Sequence, residues 1–282
     1  MINIADLPIN HRGAVYHLDL TPDELADTVI TVGDPSRVQA VTQYFDNIEY
    51  ERTHREFTTQ TGNIGSKRIT VVSTGIGMSN IDIVLNELDA LINIDLKTRT
   101  INPTLKSLKI IRIGTTGALQ PDLDPGAVVL SDYALGFDAM MDYYQWQDSK
   151  PMHNALLSHM GEAMAPDFHA KASDTLAEQF KSLGVRGITA TCSGFYAPQG
   201  RVLRLPLKYP QFLNQLQSFR FQDLSVLNLE METAGLYAMS TLLGHECVSL
   251  SLVVANRVKP QFKTDSKAWI DTLIQNVLSI LS

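Results

Sequence analysis

Two cysteines, Cys192 and Cys247, in 282 residues are too few for a disulfide framework and suit a reducing compartment. No uninterrupted apolar run approaches the roughly 20 residues that cross a bilayer. The first dozen residues carry Asp6 and no apolar core, so no signal peptide is expected there. Positive charge is scarce: 23 Lys and Arg stand against 30 Asp and Glu, and the net charge of −7 favours neither nucleic acid nor an anionic membrane as partner. Any anion site must then be built locally from a few arginines. The seven histidines form no His-Glu-x-x-His and no cysteine–histidine cluster, which argues against a metal hydrolase. A Gly-x-Ser-x-Gly elbow is also missing. Gly75-Ile76-Gly77 lacks the third glycine of a dinucleotide fingerprint, because Asn80 stands in its place, and no acidic residue closes a suitable βαβ unit. These absences leave a soluble, cytoplasmic protein, with neither nicotinamide binding nor metal-dependent hydrolysis expected.

What is present is an ample core: 44% of the residues are hydrophobic and 19% charged, which fits one globular domain over residues 1–282. Strand-like runs recur at Val29–Val32, Arg68–Ser73, Lys109–Ile113, Ala127–Ser131, Gly187–Thr191, Val226–Leu229 and Cys247–Ala255. Helical patterns fall at Ser36–Phe45, Asn80–Leu91, Leu207–Phe219, Glu232–Leu243 and Asp265–Leu281. In the last, Trp269, Leu273, Ile274, Val277 and Ile280 form a stripe that predicts packing on the core. This alternation predicts an α/β fold, a central mixed β-sheet flanked by helices, with ligands near the carboxyl ends of the strands. Asn93–Ser107 reads as an exposed connection, and Asp138–Lys150, with Tyr143, Tyr144 and Trp146, as a packed loop in preference to an aromatic flap.

Two strand ends carry chemistry. Lys109-Ile110-Ile111-Arg112-Ile113 runs into Gly114-Thr115-Thr116-Gly117, read as a glycine-bounded turn with two hydroxyls behind an arginine. Val29-Ile30-Thr31-Val32 runs into Gly33-Asp34-Pro35-Ser36-Arg37. Backbone N–H groups, hydroxyls and guanidinium groups converging at strand ends make anion cradles, and a pair of them suggests a small anionic substrate such as phosphate.

These two segments, with Ser73-Thr74-Gly75-Ile76-Gly77, His54-Arg55-Glu56-Phe57-Thr58 and Leu229-Glu230-Met231-Glu232, resemble in order the motifs of the uridine phosphorylase branch of the nucleoside phosphorylase family. The resemblance runs from about Tyr16 to Arg257 and implies phosphorolysis of uridine to uracil and ribose 1-phosphate. It assigns phosphate to Gly33, Arg37, Arg112 and Thr115, with Arg55 supplied by a neighbouring subunit. For the ribose it implies Glu232 on the sugar hydroxyls, Met231 against the ring, and His17 reaching across a dimer interface to the 5′-hydroxyl. Glu230 belongs to the same ribose segment but also suits a structural place at a helix N-terminus. A homodimer is then the minimal active unit, and relatives that assemble three dimers make a hexamer the larger alternative. The family's monovalent cation, between subunits, would sit near Glu56 and Ile76, but Asn80 stands where a serine helps bind it.

The base falls to the segment Thr191-Cys192-Ser193-Gly194-Phe195-Tyr196-Ala197-Pro198-Gln199-Gly200-Arg201. Phe195 can stack on a base, Gln199 can donate and accept along the O2–N3 edge of uracil, and Arg201 can donate toward O4 and stabilise negative charge as the base departs. In the family comparison Arg257 supports this site, and the purine branch lacks the Gln-x-Arg pair. Ala197-Pro198 replaces the family's usual Pro-Gly, which leaves the preference among uridine, deoxyuridine and thymidine open. The catalytic set implied is Arg112, Glu232, Gln199 and Arg201. Rival readings are a purine nucleoside phosphorylase, opposed by Gln199 and Arg201, and a methylthioadenosine-type nucleosidase, opposed by Arg37, Arg55 and Arg112. A non-catalytic nucleoside sensor is the rival of another class.

Overall fold

The computed structural model describes residues 1–259, 261–262 and 265–282. Along the chain, β1 (Thr28–Val32) leads into α1 (Ser36–Thr42), and an antiparallel meander follows of β2 (Asn47–His54), β3 (Phe57–Ile64) and β4 (Lys67–Ser73). After α2 (Met78–Asn93) a small hairpin, β5 (Ile94–Asp95) and β6 (Thr100–Ile101), precedes β7 (Lys109–Ala118) and β8 (Val128–Phe137). Then come α3 (Lys150–Met160), β9 (Phe168–Lys171), α4 (Asp174–Gln179), β10 (Val185–Cys192), α5 (Phe212–Ser218), β11 (Arg220–Phe221) and β12 (Leu224–Glu230). The chain finishes with α6 (Thr233–Leu243), β13 (Glu246–Asn256), β14 (Gln261–Phe262) and α7 (Lys267–Leu281).

The fold is α/β around one mixed sheet with strand order β11-β12-β10-β8-β13-β7-β1-β4-β3-β2. β1 lies parallel to β4 and β7, β7 parallel to β13, and β13 antiparallel to β8. The end of β7 also pairs antiparallel with β12, Gly117 opposite Leu229 and Ala118 opposite Asn228. Five strands, β7, β13, β8, β10 and β12, therefore close on themselves as a barrel, and the rest of the sheet extends from β7. β1 is buried at every position, as expected of a strand covered on both faces. α7 packs as its stripe predicts: Leu273, Ile274 and Val277 are buried, and Trp269 and Ile280 lie partly buried against the core.

Several elements depart from the sequence reading. The Gly114–Gly117 stretch is not a turn: β7 runs on to Ala118, held by its ladder to β13, and neither glycine takes a positive φ. The predicted Leu207–Phe219 helix is confined to α5, because Pro206 and Pro210 keep the preceding residues out of a helical ladder. Glu232 stands at the N-cap position just before α6 instead of lying within it. The hairpin β2–β3 has no apolar signature, since β2 is a largely exposed outer strand. Asn93–Ser107 holds only the small hairpin β5–β6 and is mostly exposed. Asp138–Lys150 is packed: Met141 is buried, Trp146 rests on the core, and the Tyr144 hydroxyl donates to Asp82.

Candidate active site

The carboxyl ends of β1, β4, β7, β10, β12 and β13 surround a cavity of about 890 Å³. Its walls bring together Gly33, Arg37, Arg112, Thr115, Phe195, Gln199, Arg201, Glu230, Met231, Glu232 and Arg257, so eleven of the residues picked out in sequence meet in one place. Glu56 and Ile76 line it as well.

One side of the cavity is an ion-pair knot. Arg112 projects from the middle of β7 and is 5% exposed; its Nη2 donates to Glu232 and lies 3.3 Å from Glu230 Oε2. Burial acts against the guanidinium charge, but Glu232 and Glu230 hold its pKa above the ordinary range, so Arg112 remains a cation. Its Nη1 is buried and has no hydrogen-bond partner among the described residues. That nitrogen lies over Gly114, only 1.5 Å from where a Cβ would stand, so any other residue at position 114 would expel it. Gly114 is there for close approach and not for a bend.

Arg37, in the first turn of α1, lines the same cavity and makes no side-chain hydrogen bond or ion pair among the described residues. Burial, and after it repulsion from Arg112, depress its pKa. Two guanidinium groups that repel each other across a cavity, one with a buried unsatisfied N–H, form a site that favours an oxyanion.

Glu232 is fixed from two directions. Besides Arg112, its Oε1 accepts the Gly77 N–H at 2.7 Å. Gly77 sits at φ +95°, backbone that glycine tolerates, and this turn aims the amide at the carboxylate. Glu230, by contrast, spends its carboxylate within the protein: it accepts from the Thr191 hydroxyl at 2.6 Å and from the amides of Glu232 and Thr233 at 2.9 and 3.0 Å.

The opposite side is the β10–α5 connection. Gln199 is 3% exposed; its Oε1 accepts from Arg201 Nη1 at 2.6 Å, and its backbone carbonyl accepts from Arg257 Nη1 at 3.0 Å. The Arg201 guanidinium also donates to the Phe195 carbonyl and stacks 3.6 Å above the Phe195 ring. Burial, reinforced by Arg257, pushes Arg201 down to about 10, so it is still charged near neutrality.

His17 and Arg55 are not in this cavity. The His17 ring pairs with Glu87 at 2.7 Å, and Arg55 donates to the Tyr16 hydroxyl at 3.1 Å with its guanidinium over the Tyr16 ring. Arg55 occupies the tip of the β2–β3 hairpin at φ +54°, a strained backbone for a non-glycine residue. His54, whose Nδ1 meets the His17 carbonyl at 3.1 Å, completes a separate cluster. Near the cation suggested at Glu56 and Ile76, Asn80 stands against the Gly75 turn. The atom turned against Gly75 is Nδ2 of Asn80, a hydrogen-bond donor, 2.5 Å from where a Cβ would stand. Among the described residues no group of three or more His, Cys, Asp or Glu could hold a metal.

Sequence reasoning missed the Gly77 amide on Glu232, the packing of Arg112 on Gly114, and Thr191 under Glu230. Each depends on a backbone group or a contact between distant elements, which residue spacing does not encode.

Residues 27–281 match the sequence family described as the phosphorylase superfamily. The chain belongs to the phosphorylase superfamily. It is 30% identical over 261 residues to the uridine phosphorylase of Thermococcus kodakarensis, an alignment covering 92% of this chain and 83% of that one. With the uridine phosphorylase of Escherichia coli it shares 31% identity over 262 residues, 89% of each chain. A nucleoside phosphorylase of Trypanosoma brucei, whose crystal structure is described as showing uridine phosphorylase activity, superposes with a TM-score of 0.89 at 30% identity, covering 98% of this chain and 99% of that one. In this phosphorylase, then, the mixed α/β fold is that of the superfamily.

Proposed function

We propose that the chain is a uridine phosphorylase, a pentosyltransferase that converts uridine and phosphate reversibly to uracil and ribose 1-phosphate. The observation that carries this reading is the pair Arg112 and Arg37, a buried guanidinium with an unsatisfied Nη1 and a second without a hydrogen-bond acceptor among the described residues, lining one cavity with the Gln199–Arg201 pair. Phosphate on the arginines and Thr115 is held at the anomeric carbon, which raises its effective concentration there. An oxygen of phosphate forms the bond to C1′ as the C1′–N1 bond breaks, and the electron pair of that bond leaves with the base. Glu232 binds the sugar hydroxyls, and its negative charge favours the positive charge that develops on the ribose. Met231 packs on the ring. Gln199 and Arg201 stabilise the departing uracil, which then takes a proton from water. Phosphate is co-substrate, and the reaction calls for no organic cofactor and no resident metal.

The cluster of Tyr16, His17, His54 and Arg55 outside the cavity supports a homodimer in which each subunit lends His17 and Arg55 to its neighbour, whether or not dimers assemble further into a hexamer. Mixing inactive Arg55→Ala subunits with inactive Glu232→Ala subunits under exchange conditions is expected to restore phosphorolysis, because hybrid dimers hold one intact site. A mixture that stays inactive would show that Arg55 serves its own chain. Cys192 and Cys247 are buried and unbridged, and among the described residues no helix is long and apolar enough to cross a membrane. The unbridged thiols support action in a reducing, cytoplasmic setting.

The deciding assay follows uridine consumption with and without inorganic phosphate, with inosine and methylthioadenosine alongside. Phosphate-dependent release of uracil is the expected result. Cleavage without phosphate would reassign the chain to the nucleosidases, and phosphorolysis of inosine alone would overturn the reading of Gln199 and Arg201. Uridine binding with no turnover of any substrate would leave a sensor.

A further inference from the structure

We propose that Thr191 is a positioning residue for the ribose site, fixing through its hydroxyl the start of α6 and thereby the carboxylate of Glu232. The proposal rests on the reading that Glu232 binds the ribose hydroxyls.

Glu232 stands at the N-cap position of α6, yet its side chain makes no capping bond: it is turned away toward Gly77 and Arg112. A helix start whose cap residue is committed elsewhere leaves amide donors to be satisfied by other groups. Here they are met from two strands. The Glu230 carboxylate, at the end of β12, accepts the amides of Glu232 at 2.9 Å and of Thr233 at 3.0 and 3.1 Å. Thr191, near the end of β10 and fully buried, accepts the next amide, Ala234, at 2.9 Å. The same hydroxyl donates to Glu230 Oε1 at 2.6 Å. One hydroxyl therefore orients the capping carboxylate and caps the helix itself, with both its roles filled.

This arrangement frees Glu232 for ligand while holding its Cα in place. Thr191 also stands at the mouth of the segment that carries Phe195, Gln199 and Arg201, so one strand end sets both the base residues and the sugar carboxylate. Without the hydroxyl, the Ala234 N–H is left unsatisfied in a buried position, Glu230 loses a donor, and the first turn of α6 shifts or frays. The cost falls on the contacts of Glu232 with the sugar hydroxyls, one of which, the 2′-hydroxyl, a deoxyribonucleoside lacks.

The test compares kcat/KM for uridine and for 2′-deoxyuridine in Thr191→Val, Thr191→Ser and Glu232→Gln, each pair measured on one preparation so that the ratio does not depend on the folded fraction. Thr191→Val, nearly isosteric but without the hydroxyl, is expected to lower the uridine-to-deoxyuridine ratio by about tenfold, the fold-change of one hydrogen bond. Thr191→Ser is expected to keep the wild-type ratio. Should Thr191→Val not fold, Thr191→Cys, whose thiol is only a weak donor and weak acceptor, is expected to lower the ratio in the same direction by a smaller factor. An unchanged ratio in the Thr191 variants, alongside a lowered one in Glu232→Gln, overturns the role of Thr191 and leaves the ribose site standing. An unchanged ratio in Glu232→Gln overturns the ribose assignment and the proposal with it.

Discussion

Arg112→Ala is expected to slow phosphorolysis by about 10²–10³-fold, the loss typical of removing one preorganised charge-stabilising donor. The change removes a guanidinium that lines the cavity and carries a buried Nη1 with no partner among the described residues. It also leaves Glu230 and Glu232 as neighbouring buried carboxylates without their cation. Breaking such a pair from one side costs about 3–5 kcal/mol, so a lower Tm accompanies the loss of rate. Stability and catalysis must therefore be separated.

Arg112→Lys does this. It keeps a positive charge beside the two carboxylates but loses the planar fork that can face Glu232 and phosphate together. The expected pattern is a fold close to wild type with a raised KM for phosphate and a reduced kcat. Steady-state kinetics at varied phosphate, with thermal melts of each variant, check both parts. Near-normal turnover of Arg112→Ala at ordinary phosphate would remove Arg112 from the phosphate site. Its loss would also leave Arg37 without the neighbour that helps depress its pKa.

Much of this site was legible in the sequence, and the part that was not has a physical reason. Arg37 and Arg112 were visible because each lies within a few residues of a glycine that follows an apolar run, Gln199 and Arg201 because they flank Gly200 in the connection after β10, and Glu232 because its segment resembles a family motif. The strand core was legible too, since buried strands are nearly continuous apolar runs. The reason for Gly114 was misread: glycine inside an apolar run suggests a turn, but this one serves the close approach of a guanidinium from two residues away. The β2–β3 hairpin was invisible because an exposed polar strand has no period to read, although its tip carries Arg55. The dual use of Glu230 and Thr191 needs strands β10 and β12 to be known as neighbours, and only the fold says so.

The double change Gln199→Ala with Arg201→Ala is expected to reduce uridine phosphorolysis by about 10²-fold or more while leaving the fold intact, on the same reasoning about charge that develops in the transition state. Arg201 is partly buried and its main partners lie within the loop itself, Gln199, the Phe195 carbonyl and the Phe195 ring, so its removal breaks no contact with the barrel. Arg257 still donates to the backbone carbonyl at position 199 and keeps the loop anchored. The assignment claims more than binding: these groups take up negative charge as the base leaves. Their loss should therefore weigh most on poor leaving groups. 5-Fluorouridine, whose base is more acidic than uracil and needs less help, is expected to lose distinctly less rate than uridine in the double variant. Equal losses for the two substrates would reduce Gln199 and Arg201 to binding contacts, and unchanged uridine kinetics would overturn the base site altogether. The lowered pKa of Arg201, about 10, belongs to the same argument: burial that makes the free guanidinium less comfortable makes its attraction for a departing uracil anion stronger, because both charges then meet away from water.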